Sequence, residues 1–172
     1  MKKELEDLYV AAMELYDGDD EEGALRLFRQ GADLGDDNAM NMVGLAYDSG
    51  NVVEQDKAKA IEWLKKSWRI GKKIYVCNNI AKTYSEMGQR RKALYWWNKS
   101  IAGGDVGAGL EMAQFLLQKG TGRASERIMS LVQAAADAEG HVEISEYQQE
   151  EAQELLEKLR ADSNPQHIST AI

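Results

Sequence analysis

The sequence predicts an all-α fold: an α-solenoid of about four helix-turn-helix repeats followed by a C-terminal capping helix. Three observations predict it. A pattern recurs four times in 172 residues, apolar positions follow a helical period, and proline occurs once, at Pro165. Proline breaks helix interiors, so a chain almost without it can be helical nearly throughout. The recurrence is counted back from Gly35, Gly71, Gly104 and Gly140, which lie 36, 33 and 36 residues apart. Eleven positions before them stand Ala24, Ala60, Ala93 and Met129, and eight before them Leu27, Trp63, Trp96 and Val132. Four before them stand the small residues Gly31, Ser67, Ser100 and Ala136. Self-similarity at this period marks stacked helical pairs, with each glycine where a second helix stops.

The elements follow in order. Leu5, Leu8, Ala11, Ala12 and Leu15 have helical spacing, and Asp17-Gly18-Asp19-Asp20 is a turn whose acids suit the next helix start. That helix carries Ala24, Leu25, Leu27 and Phe28 and stops near Gly35. Met40, Val43, Gly44 and Tyr47 share one face of the third helix, closed by Asp48-Ser49-Gly50-Asn51, and Ala60, Ile61, Trp63 and Leu64 form the fourth. The third repeat pairs Val76, Ile80, Ala81 and Tyr84 with Ala93, Leu94, Trp96 and Trp97 across a Met87-Gly88 turn. Gly103 to Gly109 either hinges the array or packs closely through small residues. The fourth repeat pairs Leu110, Met112, Ala113 and Leu116 with Ile128, Met129, Leu131 and Val132 across Lys119-Gly120-Thr121-Gly122. Residues 144–160, with Ile144, Tyr147, Leu155, Leu156 and Leu159 and a glutamate-rich opposite face, cap the array. The expected domain is 1–160, and 161–172, with Asn164-Pro165, a flexible tail.

Small residues have a physical role in such pairs, because only Gly, Ala or Ser lets two helix backbones approach closely. Gly44, Ala81 and Ala113 serve on first helices, and Gly31, Ala60, Ser67, Ala93 and Ser100 on second helices. Trp63, Trp96 and Trp97 then read as core, and Trp68 as either an exposed anchor or a residue packed on the next repeat.

The second repeat reads Gly44-x-x-Tyr47-x-x-Gly50, then Val53-x-x-Asp56-x-x-Lys59-Ala60-x-x-Trp63-x-x-Lys66-Ser67 and Gly71. This resembles the Sel-one-like repeat, a relative of the tetratricopeptide repeat with a longer interhelical loop. Ala81-x-x-Tyr84, Gly88, Lys92-Ala93-x-x-Trp96-x-x-Lys99-Ser100 and Gly104 follow with the shorter loop. Gly44 to Ala60 and Ala113 to Met129 span 16 positions, whereas Ala12 to Ala24 and Ala81 to Ala93 span 12. Long and short loops therefore alternate, and the first and fourth repeats are degenerate. The resemblance covers roughly residues 5–140 and implies a right-handed superhelix serving as an adaptor or scaffold. Some tetratricopeptide domains clamp a peptide C-terminus with lysine, arginine and asparagine. Asn41, Asn78, Asn79 and Lys82 lack the matching bases, so that function is not carried over.

Charge bounds the partner. The net charge is −8. Residues 1–35 carry ten acids and four bases, 36–105 eight acids and twelve bases, and 106–160 ten acids and five bases. Acidic ends disfavour nucleic acid, with Lys65, Lys66, Arg69, Lys72 and Lys73 as the contrary cluster. No apolar stretch is long enough to span a membrane, and Glu4, Glu6 and Asp7 interrupt any leader-like start, so a cytoplasmic protein is expected. The single cysteine, Cys77, reads as a buried apolar side chain. His141 and His167 form no metal-spaced pair, His141-x-Glu143 has no cysteine pair beside it, and no phosphate-cradling glycine loop occurs. Glu150, Glu151 and Glu154 read as solvated charges. The expectation is no enzyme, no cofactor, no metal and no small-molecule substrate.

The expected function is a protein-binding module whose first helices line a concave face. On the first helix that face includes Glu6, Tyr9, Met13 and Tyr16, and on the third Asn38, Asn41, Leu45 and Asp48. On the fifth it includes Tyr75, Asn78, Asn79, Lys82 and Ser85, and on the seventh Leu110 and Gln114. Tyrosines and amides fit a peptide groove. One alternative is a bacterial immunity protein neutralising a basic toxin domain, for which acidity favours fast association. A structural subunit of an oligomer is another.

Overall fold

The computed structural model describes residues 2–118, 125–138 and 144–163. Among them it contains nine helices and no strand: α1 (Lys2–Asp17), α2 (Glu21–Asp33), α3 (Asp37–Ser49), α4 (Lys57–Gly71), α5 (Ile74–Glu86), α6 (Arg90–Ala102), α7 (Val106–Gln118), α8 (Glu126–Ala136) and α9 (Glu146–Ser163). The fold is all-α and of the solenoid class. The expected turn at Lys119–Gly122, Gly140, His141, Asn164-Pro165 and His167 lie outside the described residues. The last helix begins at Glu146 and runs to Ser163, so residues 161–163 are helical, and Ile144 is buried ahead of it.

Each boundary has a local cause. Asp20 caps α2 by accepting from the Gly23 amide at 2.8 Å, and Asp36 caps α3 through the Ala39 amide at 2.6 Å. Asp56 caps α4 through the Lys59 amide at 3.0 Å, and Ser125 caps α8 through Ile128 at 3.3 Å. Asp105 bridges two helices, accepting from the Ala108 amide at 2.9 Å and from Ser100 Oγ at 2.8 Å. Gly35 and Gly104 precede two of these capping aspartates, with φ of 97° and 96°, a left-handed stop that glycine adopts without strain. Gly71 departs from that expectation. It remains helical, and Lys72 takes the left-handed stop at φ 53°.

Loop lengths alternate as the spacing implies where the loops are described. The connections α1–α2 and α5–α6 are three residues each, Gly18–Asp20 and Met87–Gln89, whereas α3–α4 takes seven, Gly50–Asp56. The long loop is tied down by the Asp56 amide donating to the Tyr47 carbonyl at 2.9 Å and by Gln55 Nε2 donating to the Asp48 carbonyl at 2.9 Å.

The helices form two compact units that meet in the sequence between Trp96 and Trp97. In the first unit, Ala12, Ala24, Leu25, Phe28, Ala32, Ala39, Met40 and Val43 make one core, with Tyr9, Met13, Leu27 and Trp63 packed around it. Ile61, Leu64, Val76, Cys77, Ile80 and Ala81 continue the buried interior. Gly44 has the close-approach role its position suggests, since a Cβ there would lie 2.8 Å from Leu64 Cγ and 3.2 Å from the Leu64 amide nitrogen. Gly31 likewise faces Ala39, with 3.1 Å between the Cβ it would carry and that of Ala39.

The recurring tyrosines acquire a structural reason. Tyr47 of α3 has Arg29 of α2 at 5.8 Å and Lys59 of α4 at 5.5 Å over its ring. Tyr84 of α5 has Lys65 of α4 at 5.3 Å and Lys92 of α6 at 5.2 Å. Tyr47 and Tyr84 thus each sit between cations from the second helices on either side in sequence, which links the Tyr position to the Lys-Ala position of the motif.

In the second unit, Leu110, Ala113, Ile128, Val132, Ala135, Ile144, Ala152, Leu156 and Leu159 form the core. Gly107, Ala108 and Gly109 are buried in α7, which supports the packing reading of the glycine-rich stretch. The ring of Trp97 tilts on Phe115 at 5.1 Å. Helix α9 buries Ala152, Leu156 and Leu159 and exposes Glu150, Glu154 and Glu157, as a terminal helix of a stack requires.

Candidate protein-binding surface

Some of the expected residues of α1, α3 and α5, namely Tyr9, Asn38, Asn41, Tyr75 and Asn79, lie near one another in the first unit. At the start of α3, Asn38 Oδ1 accepts from Tyr75 Oη of α5 at 3.0 Å and from Lys73 Nζ. Lys73 Nζ also pairs with Asp37 Oδ2 at 2.9 Å. Burial pulls the Lys73 ammonium down, but the Asp37 hydrogen bond and charge outweigh it and hold the group above the ordinary lysine range. One turn on, Asn41 Oδ1 accepts from Asn79 Nδ2 at 3.0 Å. These bonds form a polar ladder between α3 and α5.

Tyr9 of α1 stands beside the ladder. Its ring tilts on Phe28 at 5.7 Å, and its hydroxyl is raised above the ordinary tyrosine value by burial first and by the Asp36 charge second, against Lys73. Tyr75 is raised for the same leading reason, burial, with Lys73 opposing. Both phenols therefore stay protonated and can donate.

Further along α3, the helix opens onto an apolar recess of ≈ 230 Å³ lined by Tyr16, Leu25, Phe28, Met42, Leu45 and Val52, with Asp48 on its wall. Asp48 is paired with Lys57 Nζ at 3.1 Å, and Lys57 also reaches Glu86 at the end of α5. The recess has polar groups beside its apolar lining.

The remaining expected residues divide by exposure. Tyr16, Tyr75 and Lys82 are exposed, and Met13, Asn78, Asn79 and Ser85 are half-buried. Glu6 is exposed on α1, and Gln114 is half-buried in the second unit. Two expectations are corrected. Asn41 is only 6% exposed and serves as the buried end of the Asn79 bond. Leu110 is 1% exposed and belongs to the core of the second unit, because its side chain falls on the face of α7 that meets α8. Sequence reasoning missed Asp37 and Phe28 as members of the site, and took Lys73 for part of one basic cluster with Lys65 and Lys66. The paired aspartates after Gly35 were the available signal, since one caps the helix and the other is free to face a cation.

Among the described residues no group of His, Cys, Asp and Glu is placed to hold a metal ion, and no helix is long and apolar enough to cross a membrane.

The repeat geometry agrees with comparison to known proteins. The Sel1 repeat family model matches residues 8–36, 37–67 and 85–105, the stretches that hold the later part of α1 with α2, α3 with most of α4, and the end of α5 with α6. The chain is a Sel1-like repeat protein. The match includes the first repeat, which reads as degenerate from its sequence. Among solved structures, a Sel1 repeat protein from Oxalobacter formigenes is similar in fold, with a TM-score of 0.59 and 20% identity over 75% of this chain. The chain spans about half of that protein's length, 54%. Comparison with curated proteins gives no match. Sel1-like repeats generally mediate protein–protein interaction.

Proposed function

We propose that this Sel1-like repeat protein is an adaptor or scaffold that binds a partner protein on the α1/α3/α5 face of its first unit. The observation that carries the reading is the ladder Asn38–Tyr75 and Asn41–Asn79, which fixes neighbouring first helices beside the recess under Tyr16 and Leu45. Exposed Tyr75 and half-buried Tyr9, Asn78 and Asn79 present donors and acceptors on rigid helices, as recognition of an extended peptide requires. An apolar side chain of the partner fills the recess. The narrower reading, neutralisation of a basic toxin domain, rests on the small size, acidity and motif content of the sequence.

The test is affinity capture by the wild-type chain and by Tyr9→Ala/Tyr75→Ala/Asn78→Ala side by side, with mass spectrometry and circular dichroism on both baits. Proteins lost with the folded triple variant identify the partner. An unchanged set of captured proteins would mean that this face is not the binding site.

A further inference from the structure

A second surface of different chemistry lies on the second-helix side of the first unit. Helix α4 and Trp96, midway along α6, border an open groove of ≈ 450 Å³ lined by Glu62, Lys65, Lys66, Trp68, Arg69 and Trp96. Its floor is aromatic. Trp68 meets Trp96 edge to face at 6.2 Å, and Tyr95 stands edge-on to Trp96 at 5.5 Å while remaining 60% exposed. Its walls are basic, with three bases against the one acid Glu62.

The bases are held in place. Lys66 Nζ lies 4.1 Å from the centre of the Trp63 ring, Lys65 Nζ 5.3 Å from that of Tyr84, and Lys72 Nζ 5.5 Å from that of Trp68. A lysine whose ammonium already rests over a ring loses less side-chain freedom when it meets an anion, and the N–H groups turned away from the ring remain as donors for a carboxylate. Arg69 is exposed in the last turn of α4 and offers a planar fork of donors.

We propose that the α4/α6 groove docks an acidic segment of a partner protein that carries an apolar or aromatic anchor. The anchor rests on Trp68 and Trp96, and flanking Asp or Glu side chains reach Lys65, Lys66 and Arg69. Charge sets the occupant. The groove is basic in a chain of net charge −8, so an acidic partner is attracted to this patch and repelled by the acidic N-terminal stretch. A nucleic-acid strand fits less well, because the ≈ 450 Å³ groove holds one anchor, and its basic wall is interrupted by Glu62. This surface is distinct from the α1/α3/α5 face and does not depend on the function proposed for it.

The experiment uses the full chain and a fluorescein-labelled acidic peptide with a central Leu-Phe pair, read by fluorescence anisotropy. Controls are the same peptide with lysines for its acids, the acidic peptide with Gly-Gly for Leu-Phe, and a labelled single-stranded oligonucleotide. The expected result is saturable binding of the first peptide only, weakened by added salt and weakened about tenfold or more by Lys66→Glu/Arg69→Glu. Trp68→Ala should weaken it as well, and Lys66→Gln/Arg69→Gln should weaken it less than the reversal does. Tyr75→Ala, on the other face, should leave it unchanged. The proposal is overturned by equal binding to the charge-reversed variant, by equal binding of the Gly-Gly peptide, or by tighter binding of the oligonucleotide. It is also overturned if light scattering shows a dimer that Lys66→Glu/Arg69→Glu dissociates, since the groove would then belong to a second copy.

Discussion

Asp37 and Gly71 fit one another across α3 and α4. The Asp37 carboxylate occupies the space where a side chain on Gly71 would begin, and from there it pairs with Lys73 Nζ at 2.9 Å. A repeat glycine that reads as a helix stop is in fact a seat for a carboxylate. Gly71→Ala should push Asp37 off Lys73 and cost about 1–3 kcal/mol through overpacking and a broken pair. Urea denaturation checks this. Asp37→Ala/Gly71→Ala should lose little more than Asp37→Ala alone, because the carboxylate clash is gone and only a tight 3.1 Å approach of the two Cβ positions remains.

The bond between Asn41 and Asn79 joins a buried amide to a half-buried one. Removing one partner costs most when the group left behind is buried, so Asn79→Ala, which orphans the Asn41 oxygen, should cost about 1–3 kcal/mol. Asn41→Ala should lose less of the bond's contribution, because the half-buried Asn79 amide left behind is nearer solvent. In a double-mutant cycle the two changes should be non-additive by about 1 kcal/mol or more. Additive losses would show that the bond contributes nothing of its own.

The helical pairs were legible because apolar period and repeat spacing are both local properties of sequence. The loop lengths were legible too, since 16 and 12 positions between matching small residues differ by the extra loop. The site was legible only in part. Register placed Tyr9, Asn38 and Tyr75 on first helices, but which of them meet depends on how neighbouring repeats are offset. Leu110 shows the limit: its repeat position suggested a surface, yet rotation of α7 turns it into the core. Gly71 shows another, because a Gly that stops a helix and a Gly that seats a carboxylate look alike in sequence. Trp68, whose sequence position fits either an anchor or a packed residue, both packs on Trp96 and lines the groove floor.

The site also sets an alkaline response. The values of Lys73, Tyr9 and Tyr75 are all raised in the folded chain, so the folded state holds their protons more tightly than the unfolded state. For raised groups, stability is fully present below the unfolded values, about 10 for both residue types, and is lost as pH rises through the folded values. The urea midpoint should therefore be unaffected by these groups near neutrality and fall above about pH 10. Tyr9→Phe/Tyr75→Phe should make that fall shallower, read against wild type across the same alkaline series. In ultraviolet titration, the variant should lose tyrosine signal that ionises above the ordinary tyrosine value. If the lost signal ionises in the ordinary tyrosine range or below it, these two phenols are not held above it.

Gly44 and Gly35 are irreplaceable to different degrees for different reasons. At Gly44 the Leu64 side chain and backbone stand within 3.2 Å of where a Cβ would be, so α3 and α4 would have to separate. Gly44→Ala should cost about 1–3 kcal/mol, and Gly44→Ser no less, because the obstacle is volume. At Gly35 no atom lies within 4 Å of that position, but φ is 97°. There the cost is conformational. Gly35→Ala should lose about 1–2 kcal/mol, and Gly35→Asn less, because asparagine tolerates left-handed backbone better than alanine. The Asn-against-Ala difference at 35 and its absence in the Ser-against-Ala pair at 44, both read by thermal denaturation, separate a turn glycine from a packing glycine. Equal losses for Ala and Asn at 35 would count against the left-handed stop that ends α2.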